Sequence, residues 1–275
     1  MLSFPCPYLI CSYKNQIFII FRYKSVDYLN AVIINCVIKG KDEVNIDEVM
    51  SHPEQIKFAF QPIFEVESNS IYGYEALMRP EPYTPMEVIA HFAKKQQLNT
   101  IEEITTYYGA YHFLKNNLQG KLFLNSFPAA FVSEEMMQKV HELCGNKFKD
   151  KLVIEILEYT NYSRYAHQQK IHQFRESRAG EEYAIDDFGT GKNIDMRCIE
   201  FYKPDIVKID HKIISNIDTD VRNQKTLIDI LEMSLRYGVT MLAEGVETEA
   251  EFNYLKNYPV KLMQGFYLGK PLVYE

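Results

Sequence analysis

Cysteine is scarce in this chain and shows no pairing pattern. The five cysteines, Cys6, Cys11, Cys36, Cys144 and Cys198, form no Cys-x-x-Cys motif. Their spread argues against a disulfide framework and fits reduced thiols in the cytoplasm. The seven histidines show no metal-ligand spacing, so no zinc site is expected. Long hydrophobic runs are also lacking. The longest apolar stretches, Ile17-Phe21 and Ala31-Ile38, are too short or too interrupted to span a bilayer, and no transmembrane segment is expected. The start has no basic segment followed by a clean apolar one, so no signal peptide is expected. Positive charge is in deficit, with 30 Lys and Arg against 37 Asp and Glu and a net charge of -7. That speaks against duplex nucleic acid as a partner, since phosphate neutralisation needs a basic face. A small phosphate ligand held through metal ions stays open.

What is present suffices for a large core. A hydrophobic share of 47% rules out wholesale disorder, and 275 residues is a normal length for a single α/β barrel. Residues 1 to 43 differ in character from the rest of the chain. They are rich in Tyr, Ile, Phe and Asn, with strands expected around Gln16-Tyr23 and Tyr28-Ile38. A strand hairpin, a remnant of a lost domain and upstream sequence joined by a misassigned start all fit. From residue 44 onward one domain is expected to run to the C-terminus. Asn45, with Glu48 three positions later, reads as a capped helix start.

Eight strands are expected after that, at Lys57-Phe64, Ile71-Leu77, Leu122-Asn125, Leu152-Leu157, Glu182-Phe188, Asp205-Asp210, Thr240-Glu244 and Leu262-Phe266. Helical patterns separate most of them, at Pro85-Gln97, Ile101-Leu118, Ser133-Cys144, Val221-Tyr237 and Glu247-Asn257. Most strand-to-strand spacings suit a β-α-β unit, which points to a (β/α)8 barrel of TIM type. Only Glu65-Ser70 separates the first two strands, hairpin length and too short for a parallel crossover. The expected fold is therefore a modified TIM-type barrel whose first strand runs antiparallel.

The strand ends carry the chemistry. Tyr183-Ala-Ile-Asp-Asp-Phe-Gly-Thr-Gly191 is a short apolar run that ends in two carboxylates and then a glycine-bounded turn. Asp186 and Asp187 repel each other there unless a cation lies between them. Other strands end in Glu75, Asn125, Glu155 with Glu158 beyond it, Lys208, Glu244 and Gln264. Parallel barrel strands aim their C-terminal ends at one face, where active sites lie. Carboxylates with an amide oxygen, and no His or Cys cluster, are hard ligands suited to Mg²⁺ or Mn²⁺. Neighbouring Asp residues can flank two such ions, as two-metal phosphoester chemistry requires. Lys208 nearby could orient a water or neutralise charge at phosphorus, or could serve as a structural ion pair.

Five motifs in order, Tyr74-Glu-Ala-Leu-Met-Arg79, Asp186-Asp-Phe-Gly-Thr-Gly191, Val207-Lys-Ile-Asp210, Ala243-Glu-Gly-Val-Glu247 and Gln264-Gly-Phe266, resemble the motif set of EAL domains. The likeness runs from about Asn45 to the C-terminus. EAL domains are cyclic di-GMP phosphodiesterases on a modified β/α barrel. The resemblance implies hydrolysis of cyclic di-GMP to linear pGpG with two divalent cations, Mg²⁺ or Mn²⁺. It implies one ion on Glu75, Asn125, Glu155 and Asp186, with Asp186 bridging to a second ion supported by Asp187 and Glu244. Catalytic roles then fall to Lys208, Glu75 and Glu247, and substrate binding to Gln61, Arg79 and Gln264. Arg79 suits a phosphate because its guanidinium forks; its alternative is a surface pair with Glu81. The resemblance also implies a bacterial, cytoplasmic homodimer.

Two departures stand out. Lys192-Asn-Ile-Asp-Met196 replaces the usual Tyr-Ser-Ser-Leu after the Asp-Phe-Gly-Thr-Gly motif, and Glu155-Ile-Leu-Glu158 has Leu157 where Thr is common. The altered loop keeps a catalytically silent cyclic di-GMP receptor, or protein-interaction module, as the alternative. An unrelated Mg²⁺-dependent lyase using Lys208 as base is a third class. No diguanylate cyclase motif is present.

Overall fold

The computed structural model describes the backbone of residues 8–13, 16–22 and 29–34. It describes residues 45–127, 130–145, 151–156, 172, 182–189, 199–200 and 203–274 in full. The first three segments are strands β1 (Tyr8–Tyr13), β2 (Gln16–Arg22) and β3 (Leu29–Ile34), paired antiparallel in that order. The first of these was not expected from the sequence. Helix α1 (Ile46–Met50) follows, capped by Asn45, whose Oδ1 accepts the Asp47 N–H at 3.1 Å. That single bond stands in place of the Asn45–Glu48 box read from the sequence.

The main body is a closed barrel of eight strands: β4 (Lys57–Glu65), β5 (Ser70–Arg79), β6 (Lys121–Ser126), β7 (Leu152–Ile156), β8 (Glu182–Phe188), β9 (Ile206–Ile209), β10 (Thr240–Ala243) and β11 (Leu262–Met263). Neighbours from β5 to β11 pair parallel. β4 runs antiparallel to both β5 and β11 and closes the ring. The antiparallel first strand follows from the short turn after Glu65, since a tight turn can only reverse the chain. A last strand, β12 (Leu272–Val273), pairs antiparallel with Phe60 and Ala59 of β4. It was absent from the sequence reading, being short and bound to a partner some two hundred residues upstream.

Helices cover the outside. α2 (Pro85–Lys94) starts with a complete capping box, Thr84 and Glu87, and buries Val88, Ala90 and Phe92. α3 (Leu98–Lys115) and α4 (Glu134–Cys144) follow, the latter capped by Ser133. α5 (His211–Ile214) is a single turn capped by Asp210. α6 (Val221–Tyr237) turns Leu227, Ile230, Leu231 and Met233 inward and ends at the left-handed Gly238. α7 (Glu249–Leu255) carries a second capping box from Thr248 and Glu251. The expected helix 85–97 is shorter, because Gln96 takes a positive φ and the chain restarts as α3 from Leu98.

Candidate active site

The barrel interior is built in layers, and the period of two along a strand explains them. Ile63, Phe123, Val153, Ala184, Ile206, Leu242 and Leu262 form one buried apolar cluster with Tyr72 against it. Two positions further along each parallel strand, the same inward face carries Asn125, Glu155, Asp186, Lys208, Glu244 and Gln264. On antiparallel β4 the step runs the other way, from Ile63 to Gln61. On β5 an extra residue at the bulge opposite Ile63/Phe64 lengthens the step, so Glu75 follows Tyr72 by three. An apolar plug thus underlies a ring of polar groups at the mouth. Alternation puts both on the same strands.

Lys208 stands at the centre of the ring. Its Nζ lies 2.7 Å from Glu244 Oε1, 2.9 Å from Glu155 Oε1, 3.0 Å from Asp186 Oδ1 and 3.8 Å from Glu75 Oε2. The lysine is 1% exposed and Glu155 0%. Burial pushes the ammonium pKa down, but the carboxylates of Asp186, Glu155, Glu244 and Glu75 outweigh it and hold Lys208 well above its ordinary value. Glu75 accepts the side-chain N–H groups of Asn125 and Gln264, each at 2.8 Å. Burial raises its pKa, yet Lys208 and those two donors bring it below the usual carboxylate value. Glu155 and Glu244 go the other way: burial first, then neighbouring carboxylates, hold both well above their ordinary value.

The adjacent aspartates are used differently. Asp186 is buried in the ring, whereas Asp187 is exposed and has a φ of 52°. In a regular strand the two side chains would point to opposite faces. The left-handed residue, which Asp tolerates better than most, breaks that alternation where the β8–β9 register shifts. Carboxylate oxygens of Asp186, Asp187 and Glu244 consequently lie within 4.8 Å of one another. Desolvation, then Asp186 and Asp210, push the Asp187 pKa up to about 6. Gly189 has a φ of 97°, and a Cβ there would meet the Ile213 and Ile230 side chains at 2.3 and 2.9 Å. The positive φ is what calls for glycine at this turn, since the Ile213 and Ile230 atoms it faces are side-chain tips that can shift.

These residues fit divalent cations. One lysine faces four carboxylates. Like charges about 4 Å apart repel by about 4 kcal/mol at an effective dielectric of about 20, so the excess calls for further positive charge. Glu155 Oε2 and Gln264 Oε1 are buried and accept no hydrogen bond among the described residues. The donors are oxygens throughout, as Mg²⁺ and Mn²⁺ prefer. Glu75, Asn125, Glu155, Asp186, Asp187 and Glu244 are the residues able to hold them.

The remaining expected positions lie around the rim. Gln61 is half-buried and donates to the Gly269 carbonyl at 3.2 Å, tying the mouth to the segment before β12. Arg79 is half-buried at the end of β5 and donates to the Met78 carbonyl at 3.1 Å. Among the described residues its surface alternative, a pair with Glu81, does not form; Glu81 lies 3.9 Å from Lys57. Glu247 stays exposed beyond the polar ring. Glu158 and the loop 192–196 lie outside the described residues.

No sign of a role for Glu102 is legible in the sequence, which places Asp210 only at the end of a strand and motif. Glu102 on α3 is fully buried and accepts Ser126 Oγ at 2.6 Å and the Phe127 N–H at 2.9 Å, fixing the end of β6 just past Asn125. Asp210, two residues past Lys208, is 2% exposed and accepts the Lys212 N–H at 2.8 Å, capping α5. Asp210 lay in plain sight as a helix cap signal. Glu102 gave none, since a Glu inside a helix ordinarily reads as solvated.

A barrel with a reversed first strand and this acidic mouth has known relatives. The EAL domain profile matches residues 46–271, and the chain belongs to the EAL domain family. It is 26% identical over 224 residues to the probable cyclic di-GMP phosphodiesterase PdeD of Escherichia coli, covering 77% of this chain and 41% of that protein. Against the cyclic di-GMP phosphodiesterase PdeL of the same organism it is 24% identical over 236 residues, covering 77% and 61%. The chain thus spans only part of the length of these curated relatives. A standalone EAL protein of Vibrio cholerae, solved with cyclic di-GMP bound, superposes with a TM-score of 0.69 at 29% identity, covering 79% of this chain and 92% of that one. BlrP1 of Klebsiella pneumoniae, solved with manganese and cyclic di-GMP, gives 0.70 at 25% identity, covering 79% and 56%.

Proposed function

We propose that this chain is a metal-dependent phosphodiesterase that hydrolyses one ester bond of cyclic di-GMP to give linear pGpG. The observation that carries the reading is the buried Lys208 set among Glu75, Glu155, Asp186 and Glu244, with carboxylate and amide oxygens left over for cations. Glu75, Asn125, Glu155 and Asp186 would hold one Mg²⁺ or Mn²⁺ ion, and Asp186, Asp187 and Glu244 a second. Bound there, the ions would polarise the phosphate and make a water more acidic. Lys208 is charged in this environment, so it donates to the attacking water or to the phosphoryl oxygens as negative charge builds on them. In the reaction the water oxygen joins phosphorus as one ester P–O bond breaks, the water's proton passes to a carboxylate of the ring, and the departing sugar oxygen takes up a proton from solvent to leave as a hydroxyl. Gln264 orients Glu75 by its 2.8 Å hydrogen bond and stands ready for substrate. Gln61 and Arg79 are assigned to the dinucleotide, with Arg79 forking onto a phosphate. Glu247 is assigned to the open site at the rim.

The same reading takes residues 1–43 as a segment apart from the 44–275 phosphodiesterase domain. It also takes the chain to be a bacterial, cytoplasmic homodimer. No described helix is long and apolar enough to cross a membrane.

The test is product analysis. Purified protein given cyclic di-GMP with Mg²⁺ or Mn²⁺ is expected to release pGpG, and Glu75→Ala to release none. Binding without pGpG at micromolar enzyme would turn the assignment to a silent receptor. Undiminished turnover in Glu75→Ala would show that the ligand set is wrong.

A further inference from the structure

Glu251 lies outside the polar ring, on α7, yet it is 5% exposed and each of its carboxylate oxygens is used. A capping-box glutamate needs only to reach the N–H of the cap residue. Here Oε2 accepts both the Thr248 N–H at 3.0 Å and the Glu247 N–H at 2.9 Å. Oε1 reaches a different segment and accepts the Asn216 N–H at 2.9 Å. Asn216 closes the turn after α5, whose cap Asp210 lies two residues past Lys208. Glu247 lies three residues past Glu244. A single buried carboxylate therefore joins the segment leaving β9 to the segment leaving β10.

Those two segments already touch. The Glu244 N–H donates to the Ile209 carbonyl at 3.1 Å. Gly245 leaves no room, since a Cβ there would meet His211 Cβ at 2.5 Å. Their relative position sets the 2.7 Å contact between Lys208 Nζ and Glu244 Oε1. We propose that Glu251 is a positioning residue that fixes the β9 and β10 strand ends together, and through them Lys208 and Glu244 in the cation-binding mouth. The inference rests on the phosphodiesterase reading of that mouth. Carboxylate chemistry is needed because both oxygens must accept. A glutamine can serve the Glu247–Thr248 side, but its NH₂ would then face the Asn216 N–H, donor against donor.

The experiment compares wild type, Glu251→Ala, Glu251→Gln and Thr248→Ala. Each is measured for thermal unfolding, for Mn²⁺ affinity by calorimetry without substrate, and for kcat and KM with cyclic di-GMP. Thr248→Ala removes the hydroxyl that accepts the Glu251 N–H at 3.2 Å and leaves the carboxylate's own bonds in place. It is the control for a purely structural cap. Glu251→Ala and Thr248→Ala are both expected to lower Tm. Only Glu251→Ala is expected to weaken Mn²⁺ binding and kcat, each about tenfold, as loss of a ligand-orienting partner does, with KM little changed. Glu251→Gln is expected to fall between that variant and wild type. Folded Glu251 variants with wild-type Mn²⁺ affinity and kcat would overturn the proposal, as would a Thr248→Ala loss of function equal to that of Glu251→Ala. If Glu251→Ala does not fold, the Glu251→Gln result decides. A wild type that binds Mn²⁺ but makes no pGpG defeats the phosphodiesterase reading alone, and the Mn²⁺ comparison still judges Glu251.

Discussion

The two inner layers of the barrel are made by the same strands and do opposite work. Phe123, Val153 and Ala184 fill the plug, while Asn125, Glu155 and Asp186, two residues on, line the mouth. The plug is apolar and closed, so its burial stabilises the fold. The mouth gathers like charges around one lysine, so without cations it opposes the fold. Rigid packing below thus holds a strained charge arrangement above, as a preorganised site requires.

The contrast can be broken most sharply from below. Phe123→Ala is expected to cost about 3–5 kcal/mol by opening a cavity in the plug, read as a lower urea midpoint. From above, Lys208→Met removes the cation at the ring's centre and leaves Glu75, Glu155, Asp186 and Glu244 facing one another. In EDTA this is expected to cost about 3 kcal/mol, as breaking a buried ion pair does. Mn²⁺ should recover much of that stability while turnover stays lost.

Cations probe the same charge excess in the wild type. Mn²⁺ at about a hundred times its Kd is expected to raise stability by about 2.7 kcal/mol, seen as a Tm increase that EDTA reverses. Glu155→Gln sharpens the point in the other direction. The folded-state pKa of Glu155 lies above its unfolded value, so its protonated form is favoured by folding and its ionised form opposes folding as pH rises. Without divalent ions the glutamine variant is therefore expected to be more stable than wild type at neutral pH by about 1 kcal/mol, at the expense of turnover. An effect of similar size, confined to stability, lies outside both layers. Thr84→Ala removes the α2 cap and should cost about 1 kcal/mol with turnover unchanged.

Much of this architecture could be read from local pattern. Each strand of the parallel series is a short apolar run followed by its polar end, and the helices carry caps and inward faces, so the barrel and its mouth were legible in order. The antiparallel first strand followed from one short connection. What escaped depends on closure at a distance. β12 finds β4, and Gln61 finds Gly269, only once the ring is shut. Asp187 was named from the sequence, but how it reaches the mouth was not legible there. Its neighbour relation to Asp186 was plain, but the left-handed backbone that lets both face the mouth is a tertiary outcome. Glu102 and Glu251 escaped because a carboxylate on a helix shows its burial only after the helix docks.

The most direct measurement is turnover of cyclic di-GMP by metal-stripped protein as Mn²⁺ is titrated back. No pGpG is expected in EDTA, and its formation is expected to rise with Mn²⁺ to saturation, with the same result in kind for Mg²⁺. Turnover that persists in EDTA, or cyclic di-GMP binding with no pGpG at any Mn²⁺ concentration, would contradict metal-dependent hydrolysis.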